Sequence, residues 1–114
     1  MLPDLTHLLD ILNAAQRVLN FAENADRQTV EQDVMRQYAI LHGITIIGEA
    51  TRRVSDAFRA AHPEIPWNKM AGMRNRLVHN YNEVDLDVVW SVIQNDIPEL
   101  IRLIEPLIPP DDAS

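Results

Sequence analysis

The chain has 114 residues and a formal net charge of −7, with 46% apolar and 24% charged residues. This composition is that of a single globular domain, and the acidic balance argues against a protein that coats nucleic acid over its whole surface. The lack of cysteine excludes disulfides and thiolate metal sites. We expect a soluble cytoplasmic protein, because the N-terminus has no secretory pattern and no apolar run approaches the ~20 residues that span a bilayer.

Helical periodicity dominates the first half of the chain. From Asp4 to Ala22, apolar residues recur three or four positions apart, which predicts an amphipathic helix capped by Asp4. A second helix is predicted from Asp26 or Thr29 to about Ala61. Its middle is apolar on more than one face, as expected for the centre of a bundle or an oligomer surface.

Prolines divide the second half of the chain into two further helices. Pro66 is suited to the first position of a third helix that continues to Tyr81. A fourth helix, capped by Asp85 or Asp87, should kink or restart at residues 95–96, because Pro98 has no N–H to donate. With no strand-like alternation of useful length, the fold class is all-α, a four- to five-helix up-and-down bundle.

Two glycines lie inside the predicted second helix. Gly43 and Gly48 either permit the close approach of another helix or are tolerated at a cost of roughly 1 kcal/mol each. We favour tolerance for both. The predicted domain covers residues 1–108, and residues 109–114 form a short acidic C-terminal tail.

The stretch Met73–Tyr81 concentrates groups that bind phosphate or transfer protons: two guanidinium groups, two carboxamides, an imidazole and a phenol. It lies in a segment, residues 50–80, that carries a net charge of +4 on an acidic chain. Such a local positive field suits a protein that engages phosphates at one place, although a solvated surface balanced by chance gives the same count. Its basic residues are Arg52, Arg53, Arg59, Lys69, Arg74 and Arg76.

Arg74 and His79 are the candidate catalytic residues. On a regular helix, a separation of five residues would point them about 140° apart. They converge if the helix loosens near His79, or if two copies of the chain meet at a two-fold axis and share the site. We favour the shared site, and it predicts a homodimer.

These groups suit metal-independent cleavage of RNA, which carries its own nucleophile in the 2′-hydroxyl. An imidazole takes or delivers the proton, and an arginine holds the phosphate as its charge grows. Ordinary structural roles also exist: His79 as a helix cap, Arg74 as an ion-pair partner of Glu49 or Asp87, and Tyr81 as a core aromatic. The four histidines have no metal-ligand spacing, so we expect no metal and no cofactor.

The motif resembles that of a known family. Arg74, His79 and Tyr81 match the Arg-x4-His-x-Tyr signature of the HEPN superfamily, as found in HepT-like toxins (the DUF86 family). Further blocks resemble the family in the same order, and the resemblance covers nearly the whole chain, most weakly in its first 30 residues. They are Ile46–Ala50, the loop His62–Trp67, Gly72–His79 and Val84–Trp90.

The resemblance implies a homodimeric helical bundle with the motif lining a cleft between protomers. Many such proteins are toxins and metal-independent endoribonucleases that use the motif arginine and histidine, here Arg74 and His79. Their partner is a minimal nucleotidyltransferase (MNT) antitoxin that uses ATP to attach AMP to the motif tyrosine, here Tyr81. Asn75, Arg76 and Asn80 would line the cleft, and we infer that Glu49 is a buried partner of Arg74 that also belongs to it.

A second function stays open, because some HEPN domains only bind nucleotides or partners. The alternative is a non-catalytic HEPN module that binds and regulates a nucleotidyltransferase or nucleotides. Cleavage of RNA by the purified protein separates the two functions.

Overall fold

The computed structural model describes residues 3–79 and 83–109. It is mostly helical, which confirms the all-α class. In the described residues no helix combines the length and the apolar character needed to cross a membrane. The elements are α1 (Pro3–Ala22), α2 (Arg27–Gln32), α3 (Val34–Arg53), α4 (Asp56–Ala61), α5 (Trp67–Ala71), α6 (Met73–Leu77), β1 (Val78–His79), β2 (Glu83–Val84), α7 (Leu86–Ser91), a π-helical turn (Val92–Asp96), α8 (Ile97–Ile104) and a 3-10 turn (Glu105–Leu107).

The two longest helices, α1 and α3, form an antiparallel pair. At one end, Nη1 of Arg36 at the start of α3 donates to the carbonyl of Phe21 near the end of α1, at 2.9 Å. At the other end, the backbone N–H of Ser55, just beyond α3, donates to Oδ1 of Asp4 in the first turn of α1, at 2.8 Å. The predicted first helix is therefore confirmed, and its partner runs back along its full length.

Close packing of α1 on α3 depends on Gly43. A Cβ at this position would lie 2.6 Å from Cγ2 of Val18, inside van der Waals contact. The expectation that this glycine is merely tolerated is wrong. At Gly48 a Cβ would lie 3.1 Å from the carbonyl oxygen of Ala71, a tighter contact than usual with α5.

The predicted second helix is divided into α2, α3 and α4 by side-chain caps. Asp33 is the N-cap of α3, and its Oδ1 accepts from the N–H of Arg36 at 3.0 Å. Val54 ends α3 in an extended conformation, and Ser55 caps α4 by accepting from the N–H of Phe58 at 3.1 Å. Because Asp and Ser side chains satisfy the first free N–H groups of a helix, these two positions favour new starts over one continuous helix.

The predicted third helix is divided at Gly72 and ends at Leu77, so the prediction that it continues to residue 81 is wrong. Val78 takes an extended conformation (φ −119°, ψ 125°). It pairs with Val84 in an antiparallel register, with His79 opposite Glu83. This two-stranded pair is too short to give an alternating pattern in the sequence.

The C-terminal helices follow the prediction closely. Oδ1 of Asp85 accepts from the N–H of Val88 at 3.2 Å and caps α7. The expected kink or restart is confirmed as the π-helical turn, in which the N–H of Ile97 donates to the carbonyl of Val92. Pro98 follows within the first turn of α8, where its missing N–H is tolerated.

The hydrophobic core lies where α1, α3, α6 and α8 meet. Leu77 at the end of α6 is fully buried and holds that short helix against α3. Other core side chains with no exposed surface are Ile11, Ala15, Val18, Ile40, Ile44, Ile47, Val92, Ile97 and Ile104.

Candidate active-site cleft

Arg74 lies in an open cleft of about 400 Å³, which we call the Arg74 cleft. The wall opposite is the exposed face of α3, and the hairpin β1–β2 closes one side. The cleft therefore brings α3 together with α6 and the hairpin that directly follows α6 in the sequence. The lining residues are Tyr38, Leu41, His42, Thr45, Arg74, Val78 and Val84.

The local folding of each unit explains the chemical character of the cleft. Tyr38, His42 and Thr45 recur four and three residues apart, so they share one face of α3. Val78 and Val84 are cross-strand partners, and their half-buried side chains supply apolar surface. The cleft thus combines an apolar lining with an aromatic ring, an imidazole and a guanidinium group.

Arg74 is exposed, and within the described ranges no carboxylate lies within ion-pair distance of it. The inference that Glu49 is a buried partner of Arg74 is wrong, because Glu49 is exposed to solvent on α3. Asp87, the other candidate, forms an ion pair with Arg27. The guanidinium group of Arg74 is therefore available for a phosphate, which it matches with paired N–H donors.

Arg76 lies outside this cleft. Its Nη1 donates to Oδ2 of Asp96 at 2.9 Å, and Nζ of Lys69 lies 3.7 Å from the same oxygen. Asn75 is exposed on α6 and is also outside the lining. Since neighbouring helical residues point about 100° apart, α6 directs only one of these three consecutive residues into the cleft.

The other motif residues lie at or beyond the limit of the described structure. The backbone of His79 belongs to β1, directly after the cleft residue Val78. The predicted roles of Asn80 and Tyr81 fall outside the described residues. Because α6 ends at Leu77, the angle of about 140° that a regular helix would impose between Arg74 and His79 does not apply.

Sequence reasoning missed the wall contributed by α3. The spacing of Tyr38, His42 and Thr45 on a largely apolar helix was the available signal, because these polar side chains interrupt one stripe only. The described residues contain no group of three or more histidine, aspartate or glutamate side chains arranged to hold a metal ion. The lining itself offers a guanidinium group, on Arg74, that can bind an anion and an imidazole, on His42, that can transfer a proton.

The model of the family described as ribonuclease HepT-like matches residues 11–107. The chain belongs to the HepT-like family. The match confirms the resemblance to this family that the motif indicates. No solved structure matches this HepT-like chain.

Several curated relatives match over most of their length. "Putative RNase MJ1380" of Methanocaldococcus jannaschii is 35% identical over 98 residues, which cover 86% of this chain and 90% of the relative. "Probable ribonuclease HepT" of Thermococcus cleftensis is 37% identical over 94 residues, which cover 82% and 86%. "Putative RNase TTE0752" of Caldanaerobacter subterraneus is 28% identical over 102 residues, which cover 90% and 91%.

Proposed function

We propose that this HepT-like chain is a metal-independent endoribonuclease and the toxin of a HEPN/MNT toxin–antitoxin system. The observation that carries the proposal is the guanidinium group of Arg74, free of any carboxylate among the described residues, in a cleft beside the backbone of the motif histidine. Family membership and the ribonuclease names of the relatives support an RNase. Arg74 would hold the scissile phosphate, and His79 would transfer a proton at the 2′-hydroxyl or the 5′-oxygen.

A second copy of the chain would complete the site. Beside the cleft, α3 exposes a patch of large apolar side chains: Val34 is 59% exposed, Met35 84% and Tyr38 62%. Tyr38 belongs both to the patch and to the cleft lining. An isologous dimer formed on this patch would bury it and bring two Arg74 clefts together.

The proposed dimer is tested by mutation of the apolar patch. Met35→Asp should shift the protein from dimer to monomer in light scattering after size-exclusion chromatography, because a carboxylate would be buried without a partner. Gln32→Asp, on the exposed end of α2, is the matched control and should leave the mass unchanged. A wild-type protein that stays monomeric at high concentration contradicts the dimer.

Regulation would act on Tyr81. The cognate nucleotidyltransferase would transfer AMP from ATP to its hydroxyl and release pyrophosphate, which adds negative charge and bulk to the motif that contains the phosphate-binding arginine. Co-expression with that enzyme should increase the intact mass by one or more AMP units, and Tyr81→Phe should abolish the increase. An increase that persists in Tyr81→Phe places the modification elsewhere.

The nuclease is tested with purified protein and single-stranded RNA in the presence of EDTA. Arg74→Ala and His79→Ala should each reduce the cleavage rate by about 10²–10⁴-fold, the usual contribution of general acid–base help and of a phosphate-holding cation. Arg53→Ala is the charge-matched control, because Arg53 is exposed in the same basic segment but outside the cleft lining. Absence of cleavage by excess wild-type protein favours the non-catalytic regulatory module instead.

A further inference from the structure

His42 is an exposed imidazole in the lining of the Arg74 cleft. Within the described part of the chain it has no hydrogen-bond or ion-pair partner. The other two histidines with described side chains lie outside the cleft. The ring of His62 is 4.5 Å from that of Phe58, and its Nδ1 is 3.4 Å from Oε2 of Glu64; His7 lies on α1, with its Nδ1 buried.

Cleavage of RNA through its 2′-hydroxyl requires two proton transfers at one phosphate. One group removes the proton of the 2′-hydroxyl, and another supplies a proton to the departing 5′-oxygen. The motif provides one histidine in each chain. Two transfers without a metal therefore need a second group that titrates near neutral pH, either the motif histidine of a second copy or another side chain in the same cleft.

Within one chain, the composition of the cleft indicates which side chain could be that second group. Arginine serves in proteins as a fixed cation and hydrogen-bond donor, which suits Arg74 to holding the phosphate. The hydroxyl of Thr45 donates to the carbonyl of Leu41 at 2.9 Å, so it is held within its own helix. No carboxylate lines the cleft in the described residues. The phenol of Tyr38 also lines the cleft, but phenols as a class are much weaker acids than imidazolium groups. The lining side chain best suited to proton transfer near neutral pH is therefore the imidazole of His42.

We propose that His42 is a second proton-transfer residue of this site and works with His79 on the phosphate held by Arg74. The inference rests on the proposed ribonuclease function. The 2′-O–H bond breaks and its proton passes to one imidazole as the 2′-oxygen bonds to phosphorus. The P–O5′ bond breaks as the other imidazolium gives its proton to the 5′-oxygen, leaving a 2′,3′-cyclic phosphate and a 5′-hydroxyl.

Charged side chains from three elements lie in or near the part of the cleft that holds His42. Arg74, on α6, is the charged side chain that shares the cleft lining with it. On α3, the exposed Glu49 lies seven residues, or about two helical turns, further along the same face. On β2, the exposed Glu83 is next to the lining residue Val84. The helix α1 packs on the opposite, buried face of α3 and leaves the imidazole open to substrate.

The test measures single-turnover cleavage of a short RNA by His42→Ala and His42→Gln. Both should lose about 10²–10⁴-fold in rate and bind RNA within a few-fold of wild type, and one limb of the bell-shaped pH–rate profile should disappear. His62→Gln is the matched control and should keep the wild-type rate and profile. Because His42 is exposed, the variants should keep the wild-type circular dichroism spectrum.

Glutamine separates proton transfer from positioning, since it donates and accepts hydrogen bonds but does not titrate. If His42→Gln cleaves at the wild-type rate, His42 only positions the substrate and the proposal is overturned. An RNA with a 5′-bridging sulfur needs no proton on its leaving group, because a thiol is a far stronger acid than an alcohol. Recovery of His42→Ala on this substrate identifies His42 as the donor, and a persistent loss identifies it as the acceptor.

The outcomes separate this inference from the function on which it rests. If wild-type protein cleaves no RNA, the proposed function fails first. If wild type cleaves and His42→Ala stays within a few-fold of it at every pH, the role of His42 alone fails. A measurement without cleavage uses inorganic phosphate as the probe: the His42 Cε1–H resonance should shift in wild type and much less in Arg74→Ala. An unchanged resonance in wild type contradicts the shared cleft.

Discussion

Replacing Gly43 with alanine should destabilise the protein, although the same change in an open helix would stabilise it. A Cβ at this position would lie 2.6 Å from Cγ2 of Val18, whereas non-bonded carbons pack at about 3.5–4.0 Å. Roughly 1 Å of separation must therefore be created between α1 and α3. Val18 is fully buried and its branched side chain has little rotamer freedom, so the backbones must move apart.

The expected magnitude follows from two opposing effects. Forcing an extra methyl group into a packed core typically costs about 1–3 kcal/mol. The gain in helix propensity from glycine to alanine offsets about 1 kcal/mol of this. The free energy of unfolding should therefore fall, by up to about 2 kcal/mol, in urea denaturation measured at a fixed protein concentration.

A double-mutant cycle tests whether contact with the Val18 side chain causes the loss of stability in Gly43→Ala. In a Val18→Ala background the obstructing Cγ2 is absent, so Gly43→Ala should then raise the free energy of unfolding by about 1 kcal/mol. Gly48→Ala is the control, since its nearest neighbour is the carbonyl of Ala71 and its effect should be equal in both backgrounds. If Gly43→Ala has the same effect with valine or with alanine at the opposing position on α1, the contact does not limit the packing of α1 on α3.

Three further predictions concern stability. The backbone N–H and hydroxyl of Ser55 hold the pKa of Asp4 below its ordinary value. This stabilisation is present above about pH 4 and is lost as pH falls through the lower folded pKa. In Asp4→Asn, the free energy of unfolding should therefore depend less on pH in the acid range. Asp33→Ala should lower the free energy of unfolding by about 1 kcal/mol in urea denaturation, with the exposed Asn13→Ala as control. Leu77→Ala should lower the free energy of unfolding by about 2–5 kcal/mol and reduce RNA cleavage in the same preparation. If the variant is fully folded and cleaves RNA at the wild-type rate, α6 holds Arg74 in place without Leu77.

The sequence predicted the helical class and the limits of α1, because regular apolar spacing and burial agree there. It failed where a local cap competes with periodicity. The apolar pattern continues across Asp33 and Ser55, yet each side chain starts a new helix by accepting from a backbone N–H group that has no partner within that helix. The hairpin was missed because two residues in each strand give no alternation.

The cleft was predicted only in part, for a similar reason. A local motif identified Arg74, but the opposite wall comes from Tyr38 and His42, more than thirty residues earlier. Their contact with α6 is a product of tertiary packing. Glu49 was expected to be buried because its helix is apolar on several faces, whereas its own face is open to solvent.

The motif crosses the junction between a helix and a strand, and this has a consequence for how the site evolves. Within a helix, one inserted residue would rotate everything after it by about 100°. Here Arg74 lies on α6 and the next motif position lies on β1, with the buried Leu77 at the junction, so helical pitch does not set their separation. We therefore expect substitutions in the hydrophobic core around Leu77 to change the distance between the two functional groups while the motif itself stays the same.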